Sequence, residues 1–581
     1  MHSCVHAWTV FVLNKEWDKR LTQFALICVA SNIPEGGERN SWVLQQRLLH
    51  HAIRQEQFIL EGKVDLKGIE WALDKLGHLW FDQGKLAEAE AMVSRALQGS
   101  EEALGPKHIS TLNTVNNLGI LYRDQGKLAE AEAMYTRGLQ GYEEALGPKH
   151  ILILNTVNHL GILYKDQGKL AEAEAMYTRA LQGYEEALGP KHTSTLMSVG
   201  NLGILYTIQG KLAEAEAMYT RALQGKEEAL GPKHTSILDT IGNLGNLYAI
   251  QGKLAEAEAM YTRALQGYEE ALGPKHTSTL RTVNNLGNLY RDQGKLAEAE
   301  AMVSRALQGS EEALGPKHTS TLGTVNNLGN LYRDQGKLDK AEVMYTHALQ
   351  GNEKILGPKH ISTLDTINNL SNLYLDQGKL AEAEAMYTRA LQGSEEVLGP
   401  KHISTLRTIN NLGILYANQS KLAEAEAMYT RALQGSEEVL GPKHTLTLNT
   451  VNNLGNLYAI QGKLAEAEAM YTRALQGYEY TLGPELLPSY LPVLNTMFAF
   501  GDLFSRTGRE DLAKVMYNRA LAGYRTIQGS SSKWYKQLED RLQALQVASA
   551  RSEAGQDDFT TIRETKSKSL KRKHSVSWEG G

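Results

Sequence analysis

The chain has 581 residues, with 61 Lys and Arg against 66 Asp and Glu and a formal net charge of −5, so no global field draws it to nucleic acid or to an anionic membrane. Two cysteines, Cys4 and Cys28, cannot build a disulfide framework in so long a chain, which suits a reducing compartment. The longest apolar run near the start, Cys4 to Leu13, is too short to span a bilayer and has no basic segment before it. The chain therefore reads as a cytoplasmic protein without membrane contact.

Residues 1–65 are unique. They open with MHSCVHAWTVFVLN, pass through SWVLQQRLLHHAIR, and show no sustained heptad pattern. Met1-His2, Val5-His6 and Trp8 resemble the motifs that close the winged helix in STAND-type, NLR-like receptors, the NB-ARC proteins with repeat sensors common in fungi. The resemblance implies a helical linker ahead of the repeats. Ser3 departs from that family's acidic residue, and no G-x-x-x-x-G-K-[ST] phosphate loop occurs in the chain. No nucleotide or other cofactor is expected. The chain reads as the sensor part of such a receptor lineage without its NTPase, and a free-standing paralogue and a truncated gene product both fit.

From residue 66 to about 525 the chain repeats itself. The histidine of GPKH recurs at His108, His150, His192, His234, His276, His318, His360, His402 and His444, a step of 42 residues each time. The glycine of QGKL recurs from Gly84 to Gly462 with the same step, is replaced once by Ser420, and returns in a degenerate copy at Gly508. That makes eleven repeats, the last delayed by an insertion expected between Glu485 and Pro492. Self-similarity at a fixed period is the mark of a solenoid.

Each unit predicts two helices. In the second repeat Leu112, Val115, Leu118, Leu121 and Tyr122 form one apolar stripe, and Leu128, Ala131, Tyr135, Leu139, Tyr142 and Leu146 form another after Gly126. Gly147-Pro148 stops the second helix, and Ser110 and Thr111 are placed to cap the first. Leu118-Gly119, Tyr122, Gly126, Ala131, Tyr135 and Leu139 resemble the core of the tetratricopeptide repeat, although Gly138 departs from the Ala of most copies. The 42-residue length, with VNNLGNLY, QGKLAEAE and LGPKH, resembles the longer repeats of kinesin light chains. The resemblance implies an all-α, right-handed superhelical solenoid of about eleven helix-turn-helix repeats.

Few of the repeated residues suit chemistry. The GPKH histidines lie one helix pair apart, about 10 Å or more, whereas zinc needs its nitrogen ligands within about 2.1 Å. They read as turn residues that pack or hydrogen-bond between repeats, and no metal site is expected. An active site needs one asymmetric constellation, and every Glu, His or Tyr of the repeat exists in many copies, so no enzyme is expected. The asparagines of VNNLG offer more. Asn116, Asn158, Asn284, Asn326, Asn368, Asn410 and Asn452 occupy one first-helix position that, by the family resemblance, faces the concave groove. An amide there gives and accepts a hydrogen bond, matching an extended peptide; bonding between repeats is the alternative. Gly200 and Gly242 interrupt the row. Arg123, Lys165, Arg291 and Arg333, with Arg281 and Arg407, place positive charge beside it, partly cancelled by Asp124, Asp166, Asp292 and Asp334.

Residues 526–549 read as a capping segment whose helix runs from Lys533 to Ala548, and 550–581 as a disordered basic tail. In that tail Lys571-Arg572-Lys573 is a candidate nuclear-import signal and Ser575 a candidate phosphorylation site; a plain solubilising tail is the other reading. The expected function is a non-enzymatic scaffold holding a protein or peptide ligand in the groove, with a kinesin-light-chain-like cargo adaptor as the alternative.

Overall fold

Neither helix of a repeat can bury its apolar stripe alone, so stacking of pairs is the way this sequence removes that surface from water. The computed structural model describes residues 18–34, 41–147, 150–231, 234–530 and 532–547. Among them all regular structure is helical, and eleven helix pairs follow one another, from Glu70–Asp82 with Leu86–Leu104 to Leu491–Arg506 with Glu510–Gln528. Within residues 1–447 consecutive pairs pack in tandem as the predicted solenoid, and within 448–581 the last helices pack in the same way. Lys19–Ser31 and Ser41–Leu60 precede the stack. The motif residues Met1-His2, Val5-His6 and Trp8 lie outside the described residues, as does the tail beyond 547.

The second repeat shows how a pair is built. Its helices are Ile109–Asp124 and Leu128–Leu146. Ala131 and Tyr135 are fully buried, and a Cβ at Gly119 would stand 2.7 Å from the Tyr135 ring. Glycine is thus what lets the aromatic ring lie on the first helix. The second helix ends at Gly147, whose φ of 78° is left-handed. The first helix corrects the expected cap. It begins at Ile109 with His108 as the N-cap, and the Ser110 N–H donates to His108 Nδ1 at 3.2 Å. Ser110 and Thr111 lie inside the helix. The Thr111 hydroxyl donates instead to the Gly105 carbonyl at 2.9 Å, closing the corner before it.

Between repeats, first helices approach one another directly, as Ile109–Asp124 does Ile151–Asp166, so the row of first helices is the inside of the bend. Second helices are linked by ion-pair ladders such as Arg137–Glu101, Arg179–Glu143 and Arg221–Glu185. At each turn a glutamate gathers the next repeat's amide and lysine: Gln167 Nε2 donates to Glu132 at 3.0 Å, and Lys169 Nζ to the same carboxylate at 3.4 Å. Lys169 also lies 5.2 Å above the Tyr164 ring. An exposed pair contributes only about 0.2–1 kcal/mol, but every neighbouring copy repeats it.

The chain divides into two units, 1–447 and 448–581. In the second, Gly483 has φ 72° and ends its helix as the other corner glycines do; the inserted residues then form a 3-10 turn, Leu487–Ser489, before Leu491–Arg506. A helix over 533–547 follows the last pair. Leu538 is fully buried, Trp534 stacks on Tyr524 at 6.4 Å, and Arg541 pairs with Asp502 at 3.0 Å.

In the first unit the solenoid returns onto itself. His318 Nε2 stands 3.3 Å from the Asp82 carbonyl, His360 Nε2 3.1 Å from that of Asp124, and His444 Nε2 3.0 Å from that of Ile208, each 236 residues away. His402 bonds the Asp166 backbone in the same register. Nδ1 of each ring already accepts the backbone N–H two residues on, so the Nε2 proton is the one donated. These histidines have two duties: helix cap and inter-turn clasp.

Candidate functional site: the inner face of the first helices

Identical copies make the departures informative. The segment LAEAEAMYTRALQG is letter-perfect at 170–183, 212–225, 254–267, 380–393, 422–435 and 464–477, all in second helices. First helices differ among themselves at a few places. The position of Asn113 holds Asn155, Met197, Asp239, Arg281, Gly323, Asp365 and Arg407 in later copies. Ile120, Ile162 and Ile204 are followed at their position by Asn246, Asn288, Asn330 and Asn372, then by Ile414. Asn113, Ile120 and Asp124 are spaced to share one helical face, which is at least partly exposed on the inside of the bend.

The predicted asparagine row lies beside this face, and part of it is engaged between repeats. Asn116 is buried and its Nδ2 donates to Thr156 Oγ1 in the next repeat at 2.7 Å. Asn368 does the same with Thr408 at 2.9 Å. Asn158 Oδ1 accepts from Asn201 at 3.0 Å, and Asn326 Oδ1 from Asn369 at 3.2 Å. Asn284 and Asn452 keep Oδ1 buried without a partner, and Asn410 is also engaged. Four of the seven amides, at Asn116, Asn158, Asn326 and Asn368, thus join neighbouring repeats. Gly200 and Gly242, where a Cβ would meet nothing within 4 Å, are gaps in that ladder.

The predicted positive charges are likewise matched within the wall. Arg123 pairs with Asp124 at 2.6 Å and stands 3.8 Å from Asp166 of the next repeat. Lys165 pairs with Asp166 at 2.8 Å, Arg281 with Asp239 at 2.8 Å, and Arg291 with Asp292 at 3.0 Å and Asp334 at 3.5 Å. Arg333 pairs with Asp376, and Arg407 with Asp365. Burial pushes the Asp334 carboxyl above its ordinary range, against the pull of Arg291 and Arg333. The predicted cations therefore stand in a lattice of ion pairs. The charged pair is replaced by Thr207-Ile208 and Ala249-Ile250 in the fourth and fifth repeats, and by Ala417-Asn418 and Ala459-Ile460 in the ninth and tenth.

What remains open to a ligand is the face that periodicity alone does not single out. Where Asn330 and Asn372 stand, each Oδ1 accepts the hydroxyl of the tyrosine below, Tyr345 at 2.7 Å and Tyr387. Where Ile120 stands, the Tyr135 hydroxyl is buried without a partner, and burial holds its pKa far above the usual value. His159 replaces the second Asn and lies against the Tyr135 ring at 5.6 Å; burial, helped by Arg123, lowers its pKa to about 4. At the Ile120 position the early repeats thus present apolar side chains, beside Met197 which is half exposed, and the fifth to eighth repeats present amides. Differences between copies at these positions are the signal that finds it. Among the described residues no group of three metal-ligating side chains occurs, and no helix is long and apolar enough to cross a membrane.

A family model described as tetratricopeptide repeat matches residues 68–144, 151–228, 236–312, 278–354, 320–396, 363–435 and 404–479, more than half of the chain. No curated protein matches. Among solved structures, BtubC (BKLC) from P. vanneervenii is similar at 24% identity and TM-score 0.34, over 40% of this chain and 92% of that one. A Podosopora anserina putative kinesin light chain with nearly identical TPR-like repeats is similar at 21% identity and TM-score 0.31, over 36% of this chain and 98% of that one.

Proposed function

Because the chain belongs to the tetratricopeptide repeat family, we propose that it is a non-enzymatic interaction scaffold holding an extended peptide or a partner protein against the inner face of its first helices. One observation carries this. Six second helices share one identical 14-residue segment, while the partly exposed first-helix positions of Asn113 and Ile120 take different residues from repeat to repeat. Those positions set the chemistry a ligand meets: at the Ile120 position it is apolar in the second to fourth repeats and amide in the fifth to eighth, and at the Asn113 position it passes from amide through Met197 to charged side chains. Several such contacts along one ligand add up, since each 1.4 kcal/mol is about a tenfold change in affinity.

The finer reading places this scaffold in an NLR-like receptor lineage as its ligand-sensing part. Its support is the sequence resemblance at Met1-His2, Val5-His6 and Trp8. The 42-residue repeat supports a kinesin-light-chain-like cargo adaptor as the second reading. Crosslinking capture with mass spectrometry identifies the partner and separates the two, a motor heavy chain favouring the adaptor. The face itself is tested by Ile120→Asn, Ile162→Asn and Ile204→Asn together. Asparagine is what four consecutive later repeats carry there, so the fold tolerates it. Loss of capture with helicity intact supports the reading. Full capture by that variant, with loss in Glu130→Ala, Glu172→Ala and Glu214→Ala on the second helices, moves the site to the outer surface.

A further inference from the structure

The contact between successive turns of the solenoid joins two edges of the repeat. One is the GPKH corner, whose histidine offers Nε2–H. The other is the QGK turn, whose carbonyl two residues before the glycine accepts. Within residues 1–447 this contact forms four times in one register, His318 on Gly84, His360 on Gly126, His402 on Gly168 and His444 on Gly210. A Cβ on any of those glycines would stand 2.8–3.0 Å from the ring, so the fit depends on a bare backbone. Part of each edge is left unused: four of the nine GPKH histidines are clasped, and of the other five only His276 is buried. His108, His150, His192 and His234 are exposed, whereas His402 and His444 are buried. Beside the exposed rings, Leu104, Ile109 and Ile151 are 49%, 38% and 39% exposed. On the opposite edge, nothing described lies within 4 Å of where a Cβ would stand on Gly294, Gly336 or Gly378. The unused edges are therefore copies of surfaces that already bind each other inside the molecule.

We infer that two copies of this chain dock end to end, the corners at His108, His150 and His192 of one seating on the turns at Gly294, Gly336 and Gly378 of the other. Both sets step by 42 residues, so three contacts form in register. The carbonyls of Asp292, Asp334 and Asp376 take the place that those of Asp82 and Asp124 hold within the chain. Ser420 bounds the register: it follows Gly378 in the row at φ 60° and carries a side chain where a fourth ring would settle. The two surfaces differ, so the contact is heterologous, does not close, and admits a third copy. Between molecules it must overcome lost translational freedom, which the intramolecular seam does not, so association follows concentration.

Sedimentation of the full chain over a concentration series tests this. The expected result is a weight-average mass that rises above the monomer. His108→Ser, His150→Ser and His192→Ser together keep a capping oxygen but remove the ring, and this variant stays monomeric. Gly336→Asn with Gly378→Asn, residues that accept left-handed φ, blocks the opposite edge and also stays monomeric. Mixed, the two variants form a discrete one-to-one dimer, because each supplies one intact edge. Circular dichroism confirms that both remain folded. A wild-type chain monomeric at every soluble concentration overturns the inference, as does association that survives in either variant or a mixture that forms no dimer.

Discussion

His150 and His402 stand in the same tetrapeptide, cap the same kind of helix and bond the same backbone N–H, yet one is exposed and the other is buried. The difference lies 236 residues away. His402 meets a turn of the preceding coil of the solenoid at Gly168, whereas His150 stands exposed. Identical local sequence thus carries one role or two according to position in the stack. A repeat protein is usually treated as a sum of nearest-neighbour terms; the seam adds a longer-range term from the seventh repeat onward.

The largest expected effect comes from crowding the seam. Gly126→Ala with Gly168→Ala introduces left-handed strain of about 1–2 kcal/mol per site. It also drives a methyl into His360 and His402, at about 1–3 kcal/mol each for overpacking. Gly336→Ala with Gly378→Ala brings the strain alone. Denaturant midpoints, measured where the chain is dilute, should fall clearly further for the first pair; equal falls would remove the seam from the stability of the fold.

A smaller effect should come from deleting the ring and keeping the cap. His360→Ser with His402→Ser should cost about 1 kcal/mol per hydrogen bond lost. His108→Ser with His150→Ser should change stability by only a few tenths, since serine is among the best N-caps. Melting curves of the two double variants read the contrast directly.

Acid should act on the same contrast. Burial lowers the pKa of His318, His360, His402 and His444. Near His360 the Asp124 and Asp365 carboxylates oppose this, and near His402 Arg407 reinforces it while Asp166 opposes it. A histidine held neutral in the fold binds fewer protons than in the unfolded chain, so its contribution is complete above about pH 6.5 and is lost as pH falls below that. The wild type should therefore lose more stability between pH 7 and 5 than a chain carrying serine at all four positions. His159, with its pKa near 4, is present in both and drops out of the comparison. Parallel pH profiles would show that the clasp does not titrate.

The smallest effect is at Ser420, the one non-glycine residue with positive φ among those described. Ser420→Gly should relieve about 1–2 kcal/mol of strain, offset by about 0.4–1 kcal/mol of added freedom in the unfolded chain. A net gain of about half to one kcal/mol in thermal or denaturant unfolding is expected. No gain, or a loss, would mean that the serine hydroxyl compensates its own strain.

Much of the fold is legible in the text of the repeat. The stripes of Leu112 to Tyr122 and Leu128 to Leu146 name two helices, and Gly119 opposite Tyr135 names their contact. Gly126 and Gly147 mark where each helix stops, because both need left-handed φ. The cap is less legible, since Ser110 and Thr111 are commoner caps than histidine, yet His108 sits one residue before the first helical position. The candidate site is only partly legible. Asn116 and Asn158 look available in the sequence because periodicity gives a helical face but not the neighbour that covers it. Arg333 looks like a free charge because its partner, Asp376, belongs to the next repeat, whereas Arg291 also has Asp292 beside it.

By itself, then, the sequence determined the features that short-range physics sets: the 42-residue period, the two helices of each unit, their turns, and the copied second helices beside varied first helices. These depend on side-chain spacing and backbone preference within one unit and its neighbour. The tertiary structure alone decided which amides and charges are used up between repeats, and which of nine identical GPKH corners are clasped. The physical reason is that small rotations from pair to pair accumulate until His318 reaches Asp82, and no window of local sequence contains that sum.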